Sequence, residues 1–198
     1  AAPATPRPLE EETQAVNDAP VRLRLPSHGL VRPCNPNLLR LGEWEMVVRQ
    51  GPGGPSEPVT VPAIPLANQL ARGQVRFAPV LRTRFGQEPE WEMPALQVEY
   101  RCDFGLRYQG SVALVLEPGS IVGEWSARAN HGPWLTERHL RPAAGPTQGC
   151  LGMDITPYLR RGTNRIHVAV RTARSDGGLR NPLYLAGTFG VVPVPPAL

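Results

Sequence analysis

The sequence predicts an all-β fold, an antiparallel sandwich of two sheets with one or two short helical turns, and three observations predict it. Apolar residues recur with a period of two in short runs, most cleanly Leu96-Gln-Val-Glu-Tyr-Arg-Cys102 and Ile166-His-Val-Ala-Val170, which marks strands with one buried and one wet face. Turn signals separate the runs, at Pro118-Gly119, Asn130-His-Gly132 and Ser175-Asp-Gly-Gly178. Proline (24) and glycine (20) are both abundant among the 198 residues, a mix that disfavours long helices and suits short strands joined by turns. About nine or ten such strands follow one another, the signature of a sandwich. The length allows one domain with a sizeable core and is too short for two.

Residues 1–19 read as a linker or arm, from Ala1-Ala-Pro-Ala-Thr-Pro-Arg-Pro8 into Leu9-Glu-Glu-Glu-Thr-Gln-Ala-Val16, and the sandwich spans 20–198. The opening shows no leader pattern and reads as a linker or the start of an excised fragment. Val21-Arg-Leu-Arg-Leu25 alternates and is expected to be the first strand. Leu38 to Val48 holds the next strand region. Its inward parity shifts between Leu41 and Trp44, which predicts a turn or bulge at Gly42. Residues 51–65 are rich in glycine and proline and are expected to form a surface loop. Leu66 to Arg72 makes two helical turns ended by Gly73.

Val75 to Phe85 alternates loosely around Pro79, which demotes it to an edge or broken strand. Gln87 to Pro94 reads as an acidic, aromatic loop. Leu96, Val98, Tyr100 and Cys102 share the inner face of the following strand, and Gln97, Glu99, Arg101 and Asp103 the outer. Ser111 to Glu117 is apolar enough for a central strand, and Ile121 to Arg128 is another. Leu135 to Pro146 is irregular, and Cys150 to Ile155 leads into the next turn. Leu183-Tyr-Leu185 and Phe189 to Val194 close the domain.

Asp154-Ile-Thr-Pro-Tyr-Leu-Arg-Arg-Gly-Thr-Asn-Arg-Ile-His-Val-Ala-Val-Arg171 organises the chain. Thr156 is expected to cap a short helical turn, with Pro157 at its first position and Gly162 ending it. Asp154 reads as a strand-end or turn cap. This stretch resembles the late strand of galactose-binding-like β-sandwiches, the domains that accompany glycoside hydrolases of the β-galactosidase, β-mannosidase and α-L-rhamnosidase kinds. Asn181-Pro-Leu-Tyr-Leu-Ala-Gly-Thr-Phe-Gly-Val191, Asn37-Leu-Leu-Arg-Leu-Gly-Glu-Trp-Glu-Met46 and Val98-Glu-Tyr-Arg-Cys-Asp-Phe104 resemble other strands of the same jelly-roll module. The resemblance implies a non-catalytic accessory domain of a larger bacterial, secreted or periplasmic protein. Its partners would be carbohydrate, an upstream catalytic domain, or both. It implies no cofactor beyond a structural calcium ion, for which Asp103, Asp154 and Asp176 are the aspartates in the chain beyond Asp18.

All 21 basic residues are arginine, and the net charge is +4. One reading of that bias is codon usage in a GC-rich genome, and the other is recognition of an acidic partner. Arginine's planar fork would also suit acidic sugars or carboxylates. The arginines are dispersed and no recognition motif is visible, which argues against a nucleic-acid partner. No apolar run is long enough for a membrane-spanning helix, so no membrane partner is expected. Cys34, Cys102 and Cys150 form an odd set with no zinc spacing.

The strongest candidate for a carbohydrate site is the cluster Glu124, Trp125, Arg128, Asn130, His131 and Trp134 around one turn. A sugar needs an aromatic plate for its C–H face beside acid, amide or guanidinium partners for its hydroxyls. The competing reading is a plain Asn130-His-Gly132 β-turn with the tryptophans in the core. Trp91, among Glu88, Glu90 and Glu92, is a second candidate, against a tryptophan that merely covers the end of the sandwich. Glu43/Glu45 and Glu90/Glu92 are the pairs that could serve as glycosidase carboxylates, yet such pairs are common on wet faces. Cys150 with His131 or His167 is only a pairing of residue types. No Gly-x-Ser-x-Gly elbow or phosphate loop appears, so no catalytic residue is expected.

Overall fold

Strand β12 (Gly162–Thr172) is hydrogen-bonded on both sides, to β6 (Leu96–Leu106) along its whole length and to β9 (Glu124–Ala129) from Ile166 to Arg171. The computed structural model describes residues 36–50, 55–75, 80–82, 90–92, 94–107 and 110–189. These three strands join β2 (Glu43–Gln50) and β3 (Val59–Pro62) in one five-stranded sheet, ordered β3-β2-β6-β12-β9. A second sheet runs β1-β14-β7-β11-β10, built from Asn37–Leu41, Leu183–Gly187, Val112–Leu116, Leu151–Asp154 and Arg141–Pro142. Two small pairs accompany them, β8 (Ile121–Val122) with β13 (Gly178–Leu179), and β4 (Val80–Arg82) with β5 (Glu90–Glu92). Every strand pairing among the described residues is antiparallel, and the fold is an all-β sandwich.

Alternation explains the packing. Ile166, Val168 and Val170 of β12 are 0–1% exposed and lie in one core with Val98 and Tyr100 of β6 and Trp44, Met46 and Val48 of β2. The second sheet answers with Val112, Leu114 and Leu116 of β7, Met153 of β11, and Leu183 and Leu185 of β14. Each of these aliphatic side chains contributes roughly 1.5–3 kcal/mol on burial. The alternate β12 residues Arg165, His167, Ala169 and Arg171 face outward, as the period requires.

The parity shift at Gly42 has a larger cause than a bulge. Leu41 ends β1 in one sheet and Glu43 begins β2 in the other, so Gly42 is where the chain crosses the sandwich. Both flanks still point their apolar residues into the shared core: Leu41 is 4% and Trp44 1% exposed. The Trp44 indole N–H donates to the Leu41 carbonyl at 3.1 Å across this step.

Several elements differ from the pattern-based expectation. The stretch 51–65 carries β3, paired to β2 from Glu43 to Met46. Glu90–Glu92 is a strand, not a loop. The Ile121–Arg128 run is broken at Gly123, whose φ is +126° and whose Cβ would lie 2.6 Å from the Arg171 carbonyl oxygen. Only glycine fits there, and the break divides β8 from β9.

Thr156 does not cap the turn after β11. The turn is a 3-10 turn, Thr156–Tyr158, and Thr156 Oγ1 accepts the Val112 N–H at 2.8 Å instead. Asp154 is the turn cap, its Oδ1 accepting the Thr156 N–H at 2.9 Å. Helix α1 (Leu66–Arg72) ends at Gly73, as its pattern predicts. Residues 1–19, Val21–Leu25, Cys34 and 190–198 lie outside the described residues, and Phe189 is not in a strand.

One buried polar network ties α1 to β3 and β6 of the first sheet and to β13. Gln69, 0% exposed, donates from Nε2 to the carbonyls of Pro62 and Leu179 at 2.9 and 3.0 Å. Its Oε1 accepts the Tyr100 hydroxyl at 2.8 Å. Every polar atom of that amide side chain faces a partner, which is what burial demands.

Candidate functional site

The turn that follows β9 divides the predicted cluster into two groups with different work. Asn130 sits at φ +51°, a left-handed conformation that asparagine tolerates better than most residues. Its Nδ2 donates to the Tyr158 carbonyl at 2.7 Å and to Asn164 Oδ1 at 2.9 Å, and its Oδ1 accepts the Arg165 N–H at 2.9 Å. Both of its amide hydrogens and its oxygen are engaged within the fold. His131 is exposed on the turn itself and Gly132 closes it, donating to the Ala129 carbonyl at 2.9 Å.

Glu124 and Trp134 belong together elsewhere, on the outer side of the first sheet, and Trp125, which faces the core, reaches the same place with its edge. They line an open depression of about 870 Å³ with Gln97, Ser126, Thr136, Glu137, Arg138, Ala169 and Arg171. Trp125 itself is 7% exposed, so only its rim reaches this space. Its Nε1–H donates to Glu137 Oε1 at 3.1 Å, holding that carboxylate at the wall. Trp134 is 43% exposed, the large apolar side chain left open among the described residues. Leu135 explains why. It pairs with Ala127 through N–H···O bonds of 2.7 and 2.8 Å and points into the core, so its neighbours Trp134 and Thr136 turn outward.

Arg128 carries its guanidinium 4.4 Å from the centre of the Trp134 ring, a cation–π contact that orients the indole. Its Nε is buried without a hydrogen-bond partner. His167 lies between Arg128 and Arg101 in the sheet register. Burial, and then Arg128, Arg101 and Arg165, hold its pKa below the usual imidazole value, with Glu99 opposing.

The other candidates separate. Trp91 belongs to β5, and its side chain lies outside the described residues. Glu43 and Glu45 border a second open depression of about 800 Å³ with Arg101, Asp103 and Arg165. Glu45 is bound there by Arg101 at 3.2 Å. Asp103 is gripped by Arg165 in a two-pronged pair at 2.5 and 2.6 Å, which holds its carboxyl below the ordinary range. A glycosidase acid needs the opposite shift.

Burial, with Asp103 adding to it, pushes the Cys102 thiol up to about 11, away from the nucleophilic thiolate. Cys150 packs with Val115 and Ala186 on the outer side of the second sheet, whereas His167 is on the outer side of the first. That pairing is not formed. The three aspartates weighed for calcium do not converge either. Asp103 is paired to Arg165, Asp154 caps its turn, and Asp176 is paired to Arg174. Among the described residues no group of three or more His, Cys, Asp or Glu could hold a metal ion, so these residues do not fit a calcium site. No helix of the described residues is long and apolar enough to cross a membrane.

Gln97, Ser126, Thr136, Glu137, Arg138 and Arg171 were not singled out by residue type. Gln97 and Arg171 were legible only as wet-face residues of their strands, and the others carried no local signal.

No protein-family model matches the chain, and no curated protein matches it. Solved structures do. The exo-chitosanase CsxA of Amycolatopsis orientalis matches 76% of this chain over 20% of its own, with TM-score 0.53 and 14% identity. A β-D-mannosidase from Dictyoglomus thermophilum matches 76% over 22%, with TM-score 0.50 and 12% identity. A β-glucuronidase from an uncultured Clostridium sp. matches 81% over 30%, at TM-score 0.46 and 18% identity. The chain thus spans 20–30% of the length of these glycoside hydrolases. At such identities the similarity establishes the fold: a β-sandwich of a kind built into glycoside hydrolase chains.

Proposed function

We propose that this chain is a non-catalytic accessory β-sandwich, of galactose-binding-like type, within a larger glycoside hydrolase-like protein. The sandwich runs over 20–198 with 1–19 as a linker or N-terminal arm, and it packs on a catalytic domain, binds carbohydrate weakly, or does both. One observation carries the reading: three quarters of this chain superposes on one fifth of the exo-chitosanase, so its counterpart there is a part and not the whole. The carboxylates support it, because Glu45 and Asp103 are each neutralised by an arginine.

The test has two arms. The purified chain is assayed on a panel of aryl glycosides, and the protein encoded by the complete reading frame is assayed with and without residues 20–198. The reading expects no turnover from the chain alone, and a less stable or less active protein once the segment is removed. Turnover by the purified chain, abolished by Glu45→Gln or Asp103→Asn, would reverse it.

A free-standing carbohydrate-binding module is the second reading. The exposed Trp134 on the wall of the 870 Å³ depression favours it. Its mark is a tryptophan fluorescence change on adding oligosaccharide to a protein that has no catalytic neighbour.

A further inference from the structure

The floor of the depression beside Trp134 is a lane of small side chains that crosses the sheet. Ser126 of β9 lies directly opposite Ala169 of β12. The Ala127–Leu135 bridge places Thr136 next to Ser126 on the far side of β9. Thr136, Ser126 and Ala169 thus follow one another at right angles to the strands. With neighbouring strands about 4.8 Å apart, the lane is roughly 10 Å long before it meets Glu99, opposite Ala169 on β6. One border is Trp134 with Arg128 behind it. The other is the row Glu124, Arg171 and Gln97, in cross-strand register.

Two properties of the lining select a ligand. Its formal charges cancel, with Glu124 and Glu137 against Arg138 and Arg171, and Glu124 faces Arg171 directly. These four side chains and Gln97 are all exposed, so donors and acceptors of both kinds stand ready for hydroxyls. The floor has no side chain larger than threonine and is open, which admits a run of pyranose rings and gives no pocket to enclose one sugar end.

We propose that this lane binds the interior of a neutral, linear oligosaccharide laid across β9 and β12. Trp134 lies against a ring face, and Glu124, Glu137, Arg138 and Arg171 hydrogen-bond the hydroxyls. The proposal rests on the carbohydrate-binding half of the function proposed above and adds the class of glycan and its direction.

The test is a length series followed by calorimetry and tryptophan fluorescence: glucose, mannose and N-acetylglucosamine, their β-1,4-linked di- to tetrasaccharides, and trigalacturonate. In at least one neutral series the trisaccharide should bind about tenfold tighter than the monosaccharide, and Trp134→Ala should weaken it by a similar factor. Ala169→Tyr fills the lane on an outward-facing position and should abolish binding while the thermal transition stays in place. Ser126→Tyr makes the same block one strand over, should either variant melt early. Equal affinity for mono- and trisaccharide, tighter binding of trigalacturonate, or binding untouched by both tyrosine variants overturns the lane and leaves carbohydrate binding standing. No binding of any saccharide overturns both.

Discussion

Asn130 Nδ2 lies 2.9 Å from Asn164 Oδ1, and through that bond the turn after β9 is fastened to the start of β12. Asn164 is 1% exposed, and its Nδ2 also donates to the carbonyls of Arg160 and Gly162 at 2.7 and 3.0 Å. Its Oδ1 accepts the Arg160 N–H at 2.9 Å as well. The pair therefore holds the turn at 129–132 against 158–165, the segment that runs into the first residues of β12. Asn130, which reads as a turn residue, and Asn164 are both fasteners of the fold.

Asn164→Ala should destabilise the protein by about 2–4 kcal/mol, since it strands buried backbone groups as well as the Asn130 amide. Asn130→Ala should cost a similar amount, with left-handed strain added. Asn130→Gly should cost less than Asn130→Ala, because it keeps the φ of +51° without a Cβ. Urea denaturation of the three variants and of the double alanine variant checks this. The double variant should lose less than the sum of the two singles, as expected for residues in one network.

Gly123→Ala is the sharpest backbone test. The added methyl would meet the Arg171 carbonyl at 2.6 Å and Thr172 Cβ at 2.9 Å, at a φ of +126°. A loss of at least about 1–3 kcal/mol is expected, read as a lowered denaturation midpoint. Gly119→Ala, also at positive φ but with open space around its Cβ, should lose less.

These residues show what a linear reading can and cannot reach. Ile166, Val168 and Val170 were legible as an inward row because a strand's period is local, and β6 for the same reason, whereas β7 was legible as a continuous apolar run. The crossing at Gly42 was visible as a parity change, but its meaning depends on which sheet each flank joins, and pairing is not local. Short strands such as β3 and β5, set among prolines and charges, give too few positions for a period to show.

The site divides the same way. Trp134 and Glu124 stood out by type. Thr136, Ser126 and Ala169 are ordinary residues far apart in the chain, and they become a lane only through the registers of β9 with β12 and of Leu135 with Ala127. Asn130 drew attention for its amide, which the fold itself consumes.

Tyr100 offers a stability test of the buried network. Its hydroxyl donates to Gln69 Oε1 at 2.8 Å within a fully buried site. Tyr100→Phe would leave that oxygen unpaired and should cost about 1–3 kcal/mol. Burial raises the phenol's pKa far above its ordinary value. The folded state therefore holds the proton where an unfolded chain would release it. The resulting stability is complete below about pH 10 and falls as pH rises beyond it. Guanidinium melts at pH 8 and pH 11 should show a larger drop for the wild type than for Tyr100→Phe.

His167 should produce the opposite slope. Burial and the three arginines Arg128, Arg101 and Arg165 lower its pKa, with Glu99 as the opposing charge. Arg171 on its own strand, Glu124 of β9, Asp103 of β6 and Glu43, Glu45 and Arg49 of β2 are further charged groups on that outer surface. Because the folded imidazole resists a proton that the unfolded one accepts, stability is full above about pH 6.5 and declines as pH falls through the lowered value. An NMR titration of the ring should give a midpoint below the unfolded one. His167→Gln should flatten the stability profile between pH 7 and pH 5. Arg128→Gln should move the midpoint back upward, because it removes the largest of the charge contributions, and a midpoint unmoved by that change would show that Arg128 has no share in it.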